Sequence, residues 1–88
     1  MATQWFSKAA QQGHTFAQCM LGLMYDYGLG VGQDVVYADT WFSIAAESGS
    51  FAAQTARSVV EKEMTQEQLN AARIFSQVWL ENHHNVKN

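Results

Sequence analysis

Apolar side chains recur along this chain at helical spacing. Ala38, Trp41, Ala45 and Ala46 form one stripe, and Phe16-Ala17, Met20-Leu21 and Met24 form another, each covering one side of a predicted helix. The breaks between stripes are glycines. Gly13, Gly28 and Gly49 stand where a helix leaves through a left-handed residue, and Gly28-Leu29-Gly30-Val31-Gly32 makes a longer glycine-rich corner. Two helix starts are equally legible: Asp34 is placed to cap the helix after that corner, and Thr65 with Gln68 three residues on fits a capping box. The pattern predicts five helices, over about 3–12, 15–27, 35–48, 51–63 and 66–83. The last is expected to bury Leu69, Ala72, Phe75, Val78 and Trp79 and to turn Glu67, Asn70, Arg73, Gln77 and Glu81 to water, as a terminal cap requires. The polar tail from His83 to Asn88 is expected to fray.

An internal repeat decides how these helices assemble. The stretch from Trp5 to Gln18 returns from Trp41 to Gln54 at an offset of 36, with eight of fourteen positions identical. The matches include Trp5/Trp41, Phe6/Phe42, Ala10/Ala46, Gly13/Gly49 and Gln18/Gln54. A period of this size belongs to helix–turn–helix solenoids, in which a hairpin buries its apolar faces only against stacked neighbours. The expected fold class is all-α: a TPR-like α–α superhelix, or solenoid of antiparallel helix pairs, with Trp5 and Trp41 in like surroundings. Gly22 in a helix interior costs about 1 kcal/mol relative to alanine. A neighbouring helix is therefore expected to approach it closely, with Trp41 and Tyr25 filling the space beside it.

These residues resemble the Sel-one-like repeats (SLR), relatives of the tetratricopeptide repeat with a longer corner. Ala17, Leu21, Gly22, Tyr25, Gly28, Gly30, Val31 and Asp34 match the first half of that pattern, and Ala38, Trp41, Ala45, Ala46 and Gly49 the second. The resemblance divides the single domain into four parts. Residues 1–14 are the second half of a truncated repeat and 15–50 a complete one; 51–64 form a degenerate closing repeat and 65–84 a C-terminal capping helix. The family's usual proline after the corner valine is Gly32 here, which is expected to loosen that loop. On the predicted helix over 15–27, Phe16, Cys19, Leu23, Asp26 and Tyr27 share the face opposite Leu21 and Tyr25. The repeat offset carries the row on through Ala52, Thr55, Val59, Lys62 and Glu63. In related repeats the equivalent positions line a concave groove that grips peptides. The resemblance thus implies a non-enzymatic scaffold that binds a protein or peptide segment there. The alternative is a structural repeat fragment of a larger bacterial protein, self-associating as a homo-oligomer through an open N-terminal end.

Composition narrows the partners. Eighty-eight residues, 48% hydrophobic and 15% charged, make one small ordered domain. A net charge of −3 with only five Lys and Arg supplies no basic footprint for nucleic acid and no attraction to an anionic membrane. No apolar run approaches the roughly 18 residues of a membrane span. A single cysteine, Cys19, excludes an intrachain disulfide. The first residues lack the regions of a signal peptide, which leaves the compartment open: cytoplasmic, or periplasmic or secreted if a parent chain carries the signal.

Catalytic and cofactor chemistry finds little footing. His14 follows a helix-ending glycine and reads as a corner residue, and His83 and His84, being neighbours, point apart and cannot chelate as an i, i+4 pair does. Cys19 has no histidine near it in sequence and reads as a small apolar side chain rather than a nucleophile. The glycine corner resembles a phosphate-cradling loop only superficially, since no strand precedes it and no Lys-Ser/Thr follows. The aromatic residues are expected to be core rather than a base-stacking platform. No enzyme, metal or cofactor is expected.

Overall fold

The computed structural model describes residues 2–86, with side chains over 3–83. It contains α1 (Ala2–Gln11), α2 (Thr15–Tyr27), α3 (Val35–Glu47), α4 (Phe51–Glu61) and α5 (Gln66–Val86), and no strand among the described residues. The expected helix ends fall within two residues of these, except that α5 runs on through the first part of the polar tail. The rest of that tail, Lys87 and Asn88, lies outside the described residues.

The local signals act as their chemistry requires. Gly28 closes α2 at φ 70°, and the Leu29 N–H donates to the Met24 carbonyl at 2.8 Å. The Asp34 carboxylate accepts from Val36 N at 3.0 Å and Tyr37 N at 3.1 Å, capping α3. Thr65 N donates to Gln68 Oε1 at 2.9 Å while Gln68 N donates to Thr65 Oγ1 at 3.1 Å, the reciprocal pair of a capping box. Two further bonds fasten the glycine corner to α2, Asp34 N to the Tyr25 carbonyl at 2.9 Å and Gln33 Nε2 to the Asp26 carbonyl at 2.8 Å.

Three-residue turns at 12–14 and 48–50 fold consecutive helices back on one another. α2 lies between α1 and α3, and α3 carries both α4 and α5. Phe42, Leu21 and Ile44 fill the interior, while Ala10, Ala38, Ala45, Ala53 and Ala72 are fully buried. Their small side chains let the helix axes approach closely.

Four expectations need correction. The residue pressed against Gly22 is Phe42, not Trp41 or Tyr25: a Cβ on Gly22 would stand 2.5 Å from Phe42 Cε1 and 3.2 Å from the Ala38 carbonyl oxygen. Trp5 and Trp41 do not share surroundings, since Trp41 is 8% exposed beneath α5 and Trp5 is 67% exposed. Other aromatic residues outside the expected row also face water rather than the core, Tyr37 and Phe51 among them. Finally, α5 is rotated from its expected setting. It buries Ala72, Ser76 and part of Trp79 against α3, while Ile74, Phe75 and Val78 are left exposed.

Candidate functional site

The α2 row is where its spacing put it, opposite the buried Ala17, Leu21 and Met24. Phe16 and Tyr27 stand well out from it. Cys19, Leu23 and Asp26 are half-buried. Cys19 and Leu23 pack partly against the interior shared by α3 and α4, so they serve the core and the surface together. On α4 Thr55 and Val59 are exposed, as is Lys62 at its C-cap. The two halves of the row adjoin at the far end of α2: burial first, and then the charge of Glu63, raises the pKa of Asp26 above the ordinary carboxylate value. The row omitted Phe51, the most exposed large apolar side chain. Its spacing of four from Thr55, with Lys62 seven further on, puts it on the same face of α4. That spacing was available in the sequence; the repeat offset had pointed to Ala52 instead.

Sequence reasoning missed a second surface altogether. Between α1 and α5 runs a hollow of about 640 Å³, floored by Leu21, Tyr25, Trp41 and Ile44 and rimmed by the exposed Ile74, Phe75 and Val78. Aromatic edges line its mouth, with Tyr25 and Tyr37 centroids 5.1 Å apart and Tyr37 and Phe75 at 6.4 Å. It exists because α5 leans along α3 rather than along α4, a packing choice no local periodicity encodes.

The splay of α4 from α5 opens a third, polar wedge of about 340 Å³. At its base Asp39 is 2% exposed, and its Oδ1 has no hydrogen-bond partner. Burial, a hydrogen bond with Glu61 and the charge of Glu61 raise the Asp39 pKa to about 7, with Arg57 opposing. A carboxyl in that setting holds its proton at pH values where an ordinary aspartate is ionised.

The candidates for chemistry are dispersed. His14 occupies the N-cap of α2 without a side-chain capping bond. His83 Nδ1 lies 2.8 Å from the Trp79 carbonyl oxygen, one turn back on its own helix. Burial raises the pKa of the Cys19 thiol, the opposite of what a nucleophile needs. Among the described residues, no group of three or more His, Cys, Asp or Glu is placed to hold a metal ion, and no helix is long and apolar enough to cross a membrane.

Among known families, the model of the Sel1 repeat matches residues 1–14 and 15–50. No curated protein matches the chain. Among solved structures it is similar to c5321, described as a protective antigen present in uropathogenic Escherichia coli strains displaying an SLR fold. The likeness has 40% identity and a TM-score of 0.87, and covers 90% of this chain and 17% of that one. The chain therefore spans less than a fifth of that relative's length.

Proposed function

The chain belongs to the Sel1 repeat family, a family of helical interaction scaffolds that is typically non-catalytic, and from that premise we propose that it grips a partner protein segment along the α2–α4 row. Residues 15–50 act as the complete repeat, 51–64 as the degenerate closing repeat and 65–84 as the cap. The observation that carries this reading is the exposure of Phe16, Phe51, Val59 and Tyr27 on helix faces turned away from a well-filled interior. Exposed apolar side chains gathered on adjoining helices are what a binding surface presents. Lys62, Glu63 and Asp26 supply a polar edge to fix the register. Rigid helices hold these side chains in place before the partner arrives, which lowers the ordering cost of binding. A bacterial setting agrees with the Escherichia coli likeness.

The test is photo-crosslinking from position 27 or 59 in the full-length protein, with position 81 on the polar side of α5 as control. A partner captured from the row should lose about 3–6 kcal/mol of affinity on Phe16→Ser plus Tyr27→Ser, two apolar anchors at about 1.5–3 kcal/mol each. Crosslinks from position 81 alone, or unchanged affinity of the double variant, overturn the assignment.

A second reading is favoured by one observation. Trp5 and Phe16 flank an apolar hollow of about 440 Å³ beside the turn that joins α1 to α2, where a second copy could seat. A sedimentation mass that stays monomeric at high concentration sinks it.

A further inference from the structure

A cavity of about 940 Å³ lies apart from the α2–α4 row, where the ends of two helices meet α5. α1 ends there at Gln11, and α3 ends there at Glu47 with Ser48 as its cap. Each C-terminus presents about half a negative charge, the N-terminus of α2 at Thr15 on the same wall offsets one of them, and the Glu47 carboxylate adds a whole negative charge that leaves the cavity net negative. No Lys or Arg lines this cavity. Lys8, the basic residue in the last turn of α1, lines a different hollow beside Trp5.

The α2 wall carries an unmet demand. Gln18 is 1% exposed, and its Nε2 donates to the Ala10 carbonyl at 3.1 Å. That bond fixes Oε1 as the remaining acceptor, which is buried without a partner. A buried acceptor left in this state costs about 1–3 kcal/mol, so the site gains by admitting a donor. The opposite wall is flat and aromatic. His83 stacks on Trp79 with ring centroids 3.6 Å apart and 10° between planes, and Trp79 Nε1 donates to Gln11 Oε1 at 2.9 Å. The platform is thus tied to α1 and held in place.

We propose that this cavity binds the guanidinium group of an arginine side chain presented by a partner protein. Acceptors, negative potential and an aromatic wall all ask for a planar cation with several donors. An anion is refused by Glu47 and by the C-termini of α1 and α3, which together outweigh the N-terminus of α2. An ammonium answers the charge but cannot lie flat on the aromatic pair.

The test is an NMR titration of the 15N-labelled protein with the blocked tripeptide Ac-Gly-Arg-Gly-NH2 and its lysine and citrulline counterparts. Citrulline keeps the plane and loses the charge; lysine does the reverse. The arginine peptide should move the Trp79 indole N–H and the Gln18 side-chain amide resonances. Lysine and citrulline should each bind about tenfold more weakly, the loss of one charge-assisted or bidentate contact. Glu47→Gln changes an exposed residue and should weaken the arginine peptide about fivefold, while Phe16→Ser plus Tyr27→Ser leaves it unchanged. The unchanged double variant separates this site from the row proposed above. Resonances of Trp79 and Gln18 that stay still, equal binding of citrulline or lysine, or indifference to Glu47→Gln would each overturn the assignment.

Discussion

Gly22 shows how a single hydrogen atom can decide the distance between two helices. Replacing it by alanine gains about 1 kcal/mol of helix propensity. Against that, the new Cβ would sit 2.5 and 2.6 Å from two ring carbons of Phe42, which is fully buried and has nowhere to go. Overpacking of this kind costs about 1–3 kcal/mol. Gly22→Ala should therefore lower stability despite the better propensity, measured as a drop in the urea midpoint. Asp39 gives the other prediction at this scale. Its folded pKa, about 7, lies above the ordinary 3.8, so the folded state binds more protons than the unfolded state between those values. Stability is then greatest on the acid side and falls as pH rises through 7, the reverse of a salt-bridged aspartate. The change is on the order of 1–3 kcal/mol, allowing for relaxation around a coupled carboxyl pair. Thermal melts at pH 5 and pH 8 check the sign, and Asp39→Asn should flatten the difference.

At the level of elements, the helices were legible because their ends are written in short-range chemistry. Asp34, Thr65 with Gln68, and the left-handed glycines at 13, 28 and 49 each fix a terminus within one turn of the residue that does it. Thr65→Ala should accordingly cost about 1 kcal/mol and raise amide exchange chiefly in the first turn of α5. The face that α5 buries was not legible to the same degree. Two apolar stripes compete on that helix, one through Ala72, Ser76 and Trp79 and the other through Ile74, Phe75 and Val78. Local hydrophobicity favours the second, yet the first docks, because its small Ala72 and Ser76 permit a close approach to α3. The same limit explains the candidate site. The row on α2 follows from spacing within one helix, whereas the apolar hollow beside α5 and the polar wedge beneath it depend on how α5 crosses α3, a long-range outcome. The buried Asp39 was equally hidden, since a carboxylate on a helix reads as solvated until the neighbour that covers it is known.

As a whole molecule, the chain is a solenoid too short to display its superhelix. A radius of gyration of 12.0 Å is what any globular chain of this length has, about 12 Å. The long α5 closes the piece by reaching back to α1, where Trp79 donates to Gln11 across 68 residues of sequence. The two ends are consequently unequal. Trp41 lies under Trp79, ring centroids 5.8 Å apart, while its repeat partner Trp5 touches Phe6 edge-on and is otherwise largely in water. The same residue type at the same repeat position should therefore carry different weight. Trp41→Ala should cost about 3–5 kcal/mol, most of what a domain this small has to lose, and Trp5→Ala less than about 1 kcal/mol. Urea midpoints of the two variants at one low protein concentration measure the gap. Repeating the pair at a concentration a hundredfold higher turns the comparison into a test of self-association. If a second copy covers Trp5, the wild-type midpoint rises with concentration by mass action and the Trp5→Ala midpoint does not. Equal midpoints at both concentrations would assign the N-terminal face to solvent.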